Sequence, residues 1–122
     1  MTKHILIVDD EPNFCLGAGI ALKKAGYEIS KAGDGEEALK MILKNNHFDL
    51  LIIDIFMPKM SGIELIGKLR ENNVSTPIVA ISSFIDNTVV DELISRGCSE
   101  FLDKPFEPRE FIKRVNKLLK AT

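Results

Sequence analysis

The sequence predicts an α/β domain, a three-layer, doubly wound parallel sheet built from five βα units. Strand-like runs begin near Ile5, Glu28, Leu50, Ile78 and Glu100, each separated from the next by about the length of one strand and one helix. The segments between them space their apolar residues at helical intervals. Three of the five runs are continuously apolar, the signature of parallel strands covered by helices on both faces.

Each element has its own warrant. Ile5 to Val8 reads as a central strand, and Pro12 then suits the first position of a helix that buries Phe14, Ala18, Ala21, Leu22 and Ala25. Gly26 follows the lysines of that helix's last turn and stops it. Glu28 to Lys31 alternates and carries charge, as an edge strand does. Asp34-Gly-Glu-Glu37 and Ser61-Gly-Ile-Glu64 are capping boxes opening the second and third helices. Leu50 to Ile53 and Ile78 to Ile81 are central strands. Gly97 ends a fourth helix, Phe101-Leu102 belongs to the fifth strand, and Pro108 opens a last helix burying Phe111, Ile112, Val115, Leu118 and Leu119.

Composition bounds the function. The 122 residues form one domain, 1–122, without linker or low-complexity tract, large enough to hide roughly two thirds of the unfolded surface. A chain 45% hydrophobic and 28% charged, with net charge −2, has no basic footprint for nucleic acid. The basic residues Lys113, Arg114, Lys117 and Lys120 are read as a solvated helix face. The four-residue apolar run after Met-Thr-Lys-His is too short for a secretory signal or a span, so a cytoplasmic, membrane-free protein is expected. Cys15 and Cys98 lack metal or disulfide spacing and are expected to be free, partly buried thiols.

The chemistry lies at the strand ends. Asp9 and Asp10, Asp54, Ser82 and Lys104 each follow an apolar run, and open α/β sheets bind ligands at the C-terminal ends of their strands. An Asp-Asp pair alone is often a helix cap, a lone lysine a solvent lysine, and a lone Phe101 plain core; register between the positions is what raises them above that. Three clustered carboxylates demand a cation, and an incomplete set of hard oxygen donors suits Mg²⁺ better than Ca²⁺ or zinc. One divalent ion and Lys104 balance Asp9, Asp10 and Asp54, so an arriving phosphoryl group meets no net repulsion. A carboxylate so placed is a nucleophile toward phosphorus. His4 and His47 are expected on the surface, Asp103 exposed, and Glu11 capping the first helix outside the site.

The motifs Ile5-Leu-Ile-Val-Asp-Asp-Glu-Pro12, Asp54-Ile-Phe-Met-Pro-Lys-Met-Ser-Gly62, Ser82-Ser83 and Phe101-Leu-Asp-Lys-Pro-Phe106 resemble, over essentially the full chain, the receiver domains of two-component response regulators. That resemblance implies a flavodoxin-like (βα)5 fold with strand order 2-1-3-4-5. It implies Asp54 as phosphoacceptor, with Mg²⁺ held by Asp10, Asp54 and the Phe56 backbone carbonyl, and by Asp9 through water. Lys104 would pair with the phosphoryl group, Ser82 and Phe101 would be the switch pair, and the Lys104-Pro105 bond would be cis. The expected function is a phosphoacceptor signalling domain rather than an enzyme proper, one that assists its own phosphorylation and dephosphorylation. A histidine kinase or phosphotransfer protein would be the donor. The changed surface, Asp86 to Arg96 and Glu100 to Lys120 (the fourth helix, fifth strand and fifth helix), would meet an effector, an output domain elsewhere, or a second copy in a weak dimer.

Phe56 is bulky where polar residues also occur in this family, which predicts slow loss of the phosphoryl group. The small Ser83 should leave the pocket open to small donors. Two other functions compete: a phosphorylation-independent scaffold, and an aspartyl-nucleophile phosphatase. The scaffold has no use for the complete acid, hydroxyl and lysine set, and the phosphatase would want Asp-x-Asp after its first strand.

Overall fold

Alternate residues of the central strands point into two separate cores. Ile5 and Ile7, Leu50 and Ile52, Val79 and Ile81 face one way, while Leu6 and Val8, Leu51 and Ile53, Ile78 and Ala80 face the other. This period-two division is why the central strands carry no polar residue between their two ends.

The computed structural model describes residues 2–83 and 86–120. Its elements are β1 (His4–Val8), α1 (Pro12–Lys24), β2 (Glu28–Ala32), α2 (Gly35–Lys44), β3 (Leu50–Asp54), α3 (Gly62–Glu71), β4 (Ile78–Ser82), α4 (Asn87–Ser95), β5 (Glu100–Asp103) and α5 (Pro108–Lys120). All strand pairs are parallel, in the order β2-β1-β3-β4-β5. The expected strand order and edge position of β2 both hold.

Helices α1 and α5 cover one face, burying Cys15, Ala18, Leu22, Phe111, Val115 and Leu119. Helices α2, α3 and α4 cover the other through Ala38, Ile42, Leu65, Ile66, Leu69 and Leu93. Burying an aliphatic side chain of this size stabilises the fold by roughly 1.5–3 kcal/mol, so both faces matter to stability.

The punctuation works as the sequence predicts. Asp34 accepts from the Glu37 amide at 2.8 Å and Ser61 from the Glu64 amide at 3.1 Å. Gly26 (φ 99°) and Gly97 (φ 80°) take the left-handed conformation beyond α1 and α4. Glu11 departs from expectation, since it holds the N-cap position of α1 without a side-chain cap bond.

His4 also departs from it. The ring is half-buried, bonded through Nε2 to the Ser30 hydroxyl at 2.7 Å, and lies 4.8 Å from the His47 ring and 4.9 Å from that of Phe48. Among the described residues no helix is long and apolar enough to cross a membrane.

Candidate functional site

Register brings the strand-end residues together. Val8 pairs with Ile53 and Asp54 with Ile81, so Asp9 and Asp54 leave neighbouring strands at the same edge. Ser82 pairs with Asp103, which puts Lys104 one step beyond on the far side. The Lys104 amide donates to the Ser82 carbonyl at 2.6 Å, and the Lys104-Pro105 bond is cis, as the resemblance implied.

The Lys104 ammonium is the hub. It donates to Asp9 Oδ2 at 2.8 Å and Glu11 Oε1 at 2.9 Å, lies 3.7 Å from Asp54 Oδ2, and sits 4.2 Å from the centroid of the Phe14 ring. Its side chain is 13% exposed, and those of Asp9 and Asp54 are 0% and 7% exposed. Burial opposes the charge on Lys104, but the bonds it donates to Asp9 and Glu11, with the nearby Asp54 charge, outweigh that and hold the ammonium above the ordinary lysine range. The aromatic face of Phe14 adds a weaker attraction on the same cation.

Asp54 is tuned the opposite way to a solvent carboxylate. Burial first, and the Asp9 carboxylate second, push its carboxyl up to about 6, against the lowering effects of Lys104 and of the Phe56 amide. That amide donates to Asp54 Oδ1 at 3.2 Å. Asp10 is exposed and acts on Asp54 as a weaker like charge.

The carboxylates whose oxygens gather within 4.8 Å of one another are Asp9, Glu11 and Asp54. Glu11 therefore belongs to the constellation, contrary to its reading as a helix cap. The Glu11 side chain caps no amide of α1 and instead turns back across the strand ends to the ammonium. The Asp-Asp-Glu-Pro run held that signal. The hard carboxylate oxygens of Asp9 and Asp54 fit a Mg²⁺ ion, which prefers such donors and retains waters, while Glu11 is drawn to the ammonium.

Gly62 explains how α3 reaches the site. Its amide donates to the Ile55 carbonyl at 2.8 Å, and a Cβ there would collide with the Asp54 carbonyl oxygen and stand 2.8 Å from Ile55 Cα. Glycine is required because helix and strand backbones touch.

The remaining positions fall as follows. Ser82 is fully buried at the end of β4, Ser83 is exposed, and Phe101 is half-buried against the α3/α4 core. Asp103 is exposed, as expected, and Phe56 is 53% exposed beside Asp54. Cys15 lies buried under the site with its thiol 3.5 Å from the Asp9 carbonyl, and burial, with Asp9 second, pushes the thiol up. Cys98 is the other free thiol.

Known proteins resemble this chain in sequence and in fold. The profile of the response regulator receiver domain matches residues 5–116. The transcriptional regulatory protein SrrA of Staphylococcus aureus is 35% identical over 122 residues, which is 100% of this chain and 50% of SrrA. The chain thus spans about half the length of the curated relatives it matches. Chemotaxis protein CheY4 of Vibrio cholerae superposes with a TM-score of 0.91 at 31% identity, covering 98% of this chain and 100% of CheY4. The response regulator TrrA of Thermotoga maritima, solved in complex with Mg(2+)-BeF, gives 0.85 at 38% identity over 97% of this chain and 100% of TrrA. With the profile covering nearly the whole chain and the 2-1-3-4-5 sheet matching its neighbours, this chain belongs to the receiver domain family of two-component response regulators.

Proposed function

We propose that this domain accepts a phosphoryl group on Asp54 from a phosphohistidine donor and transmits the event through its α4, β5 and α5 surface. The observation carrying this reading is the Lys104 ammonium held between Asp9 and Asp54, 3.7 Å from the Asp54 oxygen. In the transfer, Asp54 Oδ attacks phosphorus, the O–P bond forms as the donor's N–P bond breaks, and the released imidazole nitrogen keeps the electron pair and takes a proton. At neutral pH most Asp54 carboxyls are ionised and able to attack, since the group titrates near 6.

Asp10, Asp54 and the Phe56 carbonyl would hold Mg²⁺ directly and Asp9 through water; the gathered oxygens of Asp9 and Asp54 are hard donors that suit the ion, and the exposed Asp10 would turn in to join them. Bound there, Mg²⁺ neutralises oxygens of the transferring group. Lys104 neutralises another and orients it. The buried Ser82 hydroxyl then follows a phosphoryl oxygen, and Phe101, half-buried beside Ala80, turns into the space released. That exchange shifts a two-state equilibrium at the α4-β5-α5 face, where an effector, an output domain or a second copy reads it. Residues 1–122 act as a receiver unit, and the activity it controls lies in partners of that kind. Self-catalysed loss of the phosphoryl group ends the signal.

Intact-mass measurement after incubation with a small phosphodonor and Mg²⁺ tests this. The parent should gain one phosphoryl group and Asp54→Ala none. No gain in the parent, or equal gain in both, would overturn the assignment, and omitting Mg²⁺ should suppress the gain.

A further inference from the structure

Lys104 has three N–H donors, and the structure places carboxylate oxygens on two of them, Asp9 and Glu11. These acceptors differ in kind. Asp9 is sealed, with a side chain 0% exposed and its second oxygen, Oδ1, accepting the Glu11 amide at 2.9 Å. The Glu11 side chain is 64% exposed, makes no cap bond to α1, and its carboxylate meets the site at Lys104. Letting go of Lys104 therefore costs Glu11 little, because water takes the vacated place at once. Asp9 has no such route.

Charge leads to the same end. One divalent ion and Lys104 would balance Asp9, Asp54 and the neighbouring exposed Asp10, and Glu11 at the ammonium adds a fourth negative charge. An entering phosphoryl group meets a neutral site only if Glu11 has left.

Resting on the reading of Asp54 as phosphoacceptor, we infer that Glu11 is a releasable latch: it holds Lys104 in the resting state, competes with the phosphoryl group for that ammonium, and swings into solvent when the group arrives. Glu11 is then a positioning residue acting through Lys104. It sets how readily the domain responds to a donor, and a weaker latch makes a domain more easily switched.

The test is the affinity for beryllofluoride, a phosphoryl mimic, at saturating Mg²⁺, measured by calorimetry on the full chain. Glu11→Gln should bind about two- to fivefold more tightly than the parent, the range that releasing a partly exposed ion pair gives. The same substitution in a Lys104→Met background should gain less, because there is no ammonium to free. An unchanged or weaker Glu11→Gln, or an equal gain in both backgrounds, overturns the latch. A loss traced to weaker Mg²⁺ binding, titrated separately, assigns Glu11 to the cation and overturns it too. If the parent binds no beryllofluoride, or Asp54→Ala binds as well as the parent, the phosphoacceptor reading fails and the latch with it. A parent that binds through Asp54 while Glu11→Gln gains nothing sinks the latch alone.

Discussion

Lys104 lies 2.8 Å from Asp9 but 3.7 Å from Asp54. The ammonium is thus committed to the acid of the first strand and stands just short of a hydrogen bond to the acid of the third. A group attached to Asp54 can take up that reach without moving the strands.

This geometry makes Lys104 the cation of two buried carboxylates, so its loss should be felt in stability. Lys104→Met leaves two buried carboxylates without their cation. It should destabilise the metal-free protein by about 1–3 kcal/mol at pH 7, measured by urea unfolding. It should also push the Asp54 carboxyl above its value of about 6, read by carbon NMR of the side chain. An unmoved Asp54 titration would mean that the two charges are not coupled.

Asp54 itself opposes folding when ionised. Its folded carboxyl titrates near 6, against 3.8 for an ordinary aspartate, so its favourable contribution is whole below pH 3.8 and is lost as pH rises through 6. Asp54→Asn should therefore melt above the parent at pH 7, by at most about 3 kcal/mol, with the gap closing toward acid pH. Mg²⁺ should narrow the gap by stabilising the parent. Thermal melts at several pH values, with Mg²⁺ and with chelator, decide both points.

Two glycines predict opposite outcomes. Gly62→Ala forces a methyl group against the Asp54 carbonyl and Ile55 Cα and should cost about 1–3 kcal/mol or more, with phosphoryl uptake falling as β3 shifts. Gly17 lies exposed within α1 with no neighbouring atom within 4 Å of an added Cβ. Gly17→Ala should instead stabilise by roughly 0.5–1 kcal/mol. Denaturant midpoints of the pair provide the comparison.

Phe56 stands half exposed beside Asp54, with its amide on the acceptor carboxylate. We expect its ring to limit the approach of water to a phosphorylated Asp54. Phe56→Asn should lose the phosphoryl group faster by a factor of a few, followed by mass spectrometry after donor removal. Unchanged or slower loss would rule out the screen.

Arg70 braces the turns that flank β4. Its guanidinium donates to the carbonyls of Val74, Thr76, Arg96 and Gly97 at 2.6 to 3.3 Å, tying the end of α3 to the turn between α4 and β5. Arg70→Met strands these acceptors and should destabilise by about 1–3 kcal/mol. Amide exchange should accelerate first at Gly97 and Cys98.

The sequence alone determined the layers and most of the site. The continuous apolar strands required helices on both faces, Pro12, Gly26, Asp34, Ser61, Gly97 and Pro108 marked the helix ends, and the acids, hydroxyl and lysine followed the strands whose ends share an edge. Such signals are local, because they rest on backbone period and on what each residue type permits at a terminus. Tertiary structure decided which side chains meet. Glu11 reads as a cap because capping is a local rule, yet its carboxylate caps no amide of α1, and Lys104, 93 positions away, offers it a charge. Nothing local marks Arg70, on which four carbonyls from two turns converge. Gly62 becomes obligatory only when α3 abuts the Asp54 carbonyl. Long-range electrostatics and backbone contact carry no period along the chain, so folding alone set Lys104 among Asp9, Glu11 and Asp54.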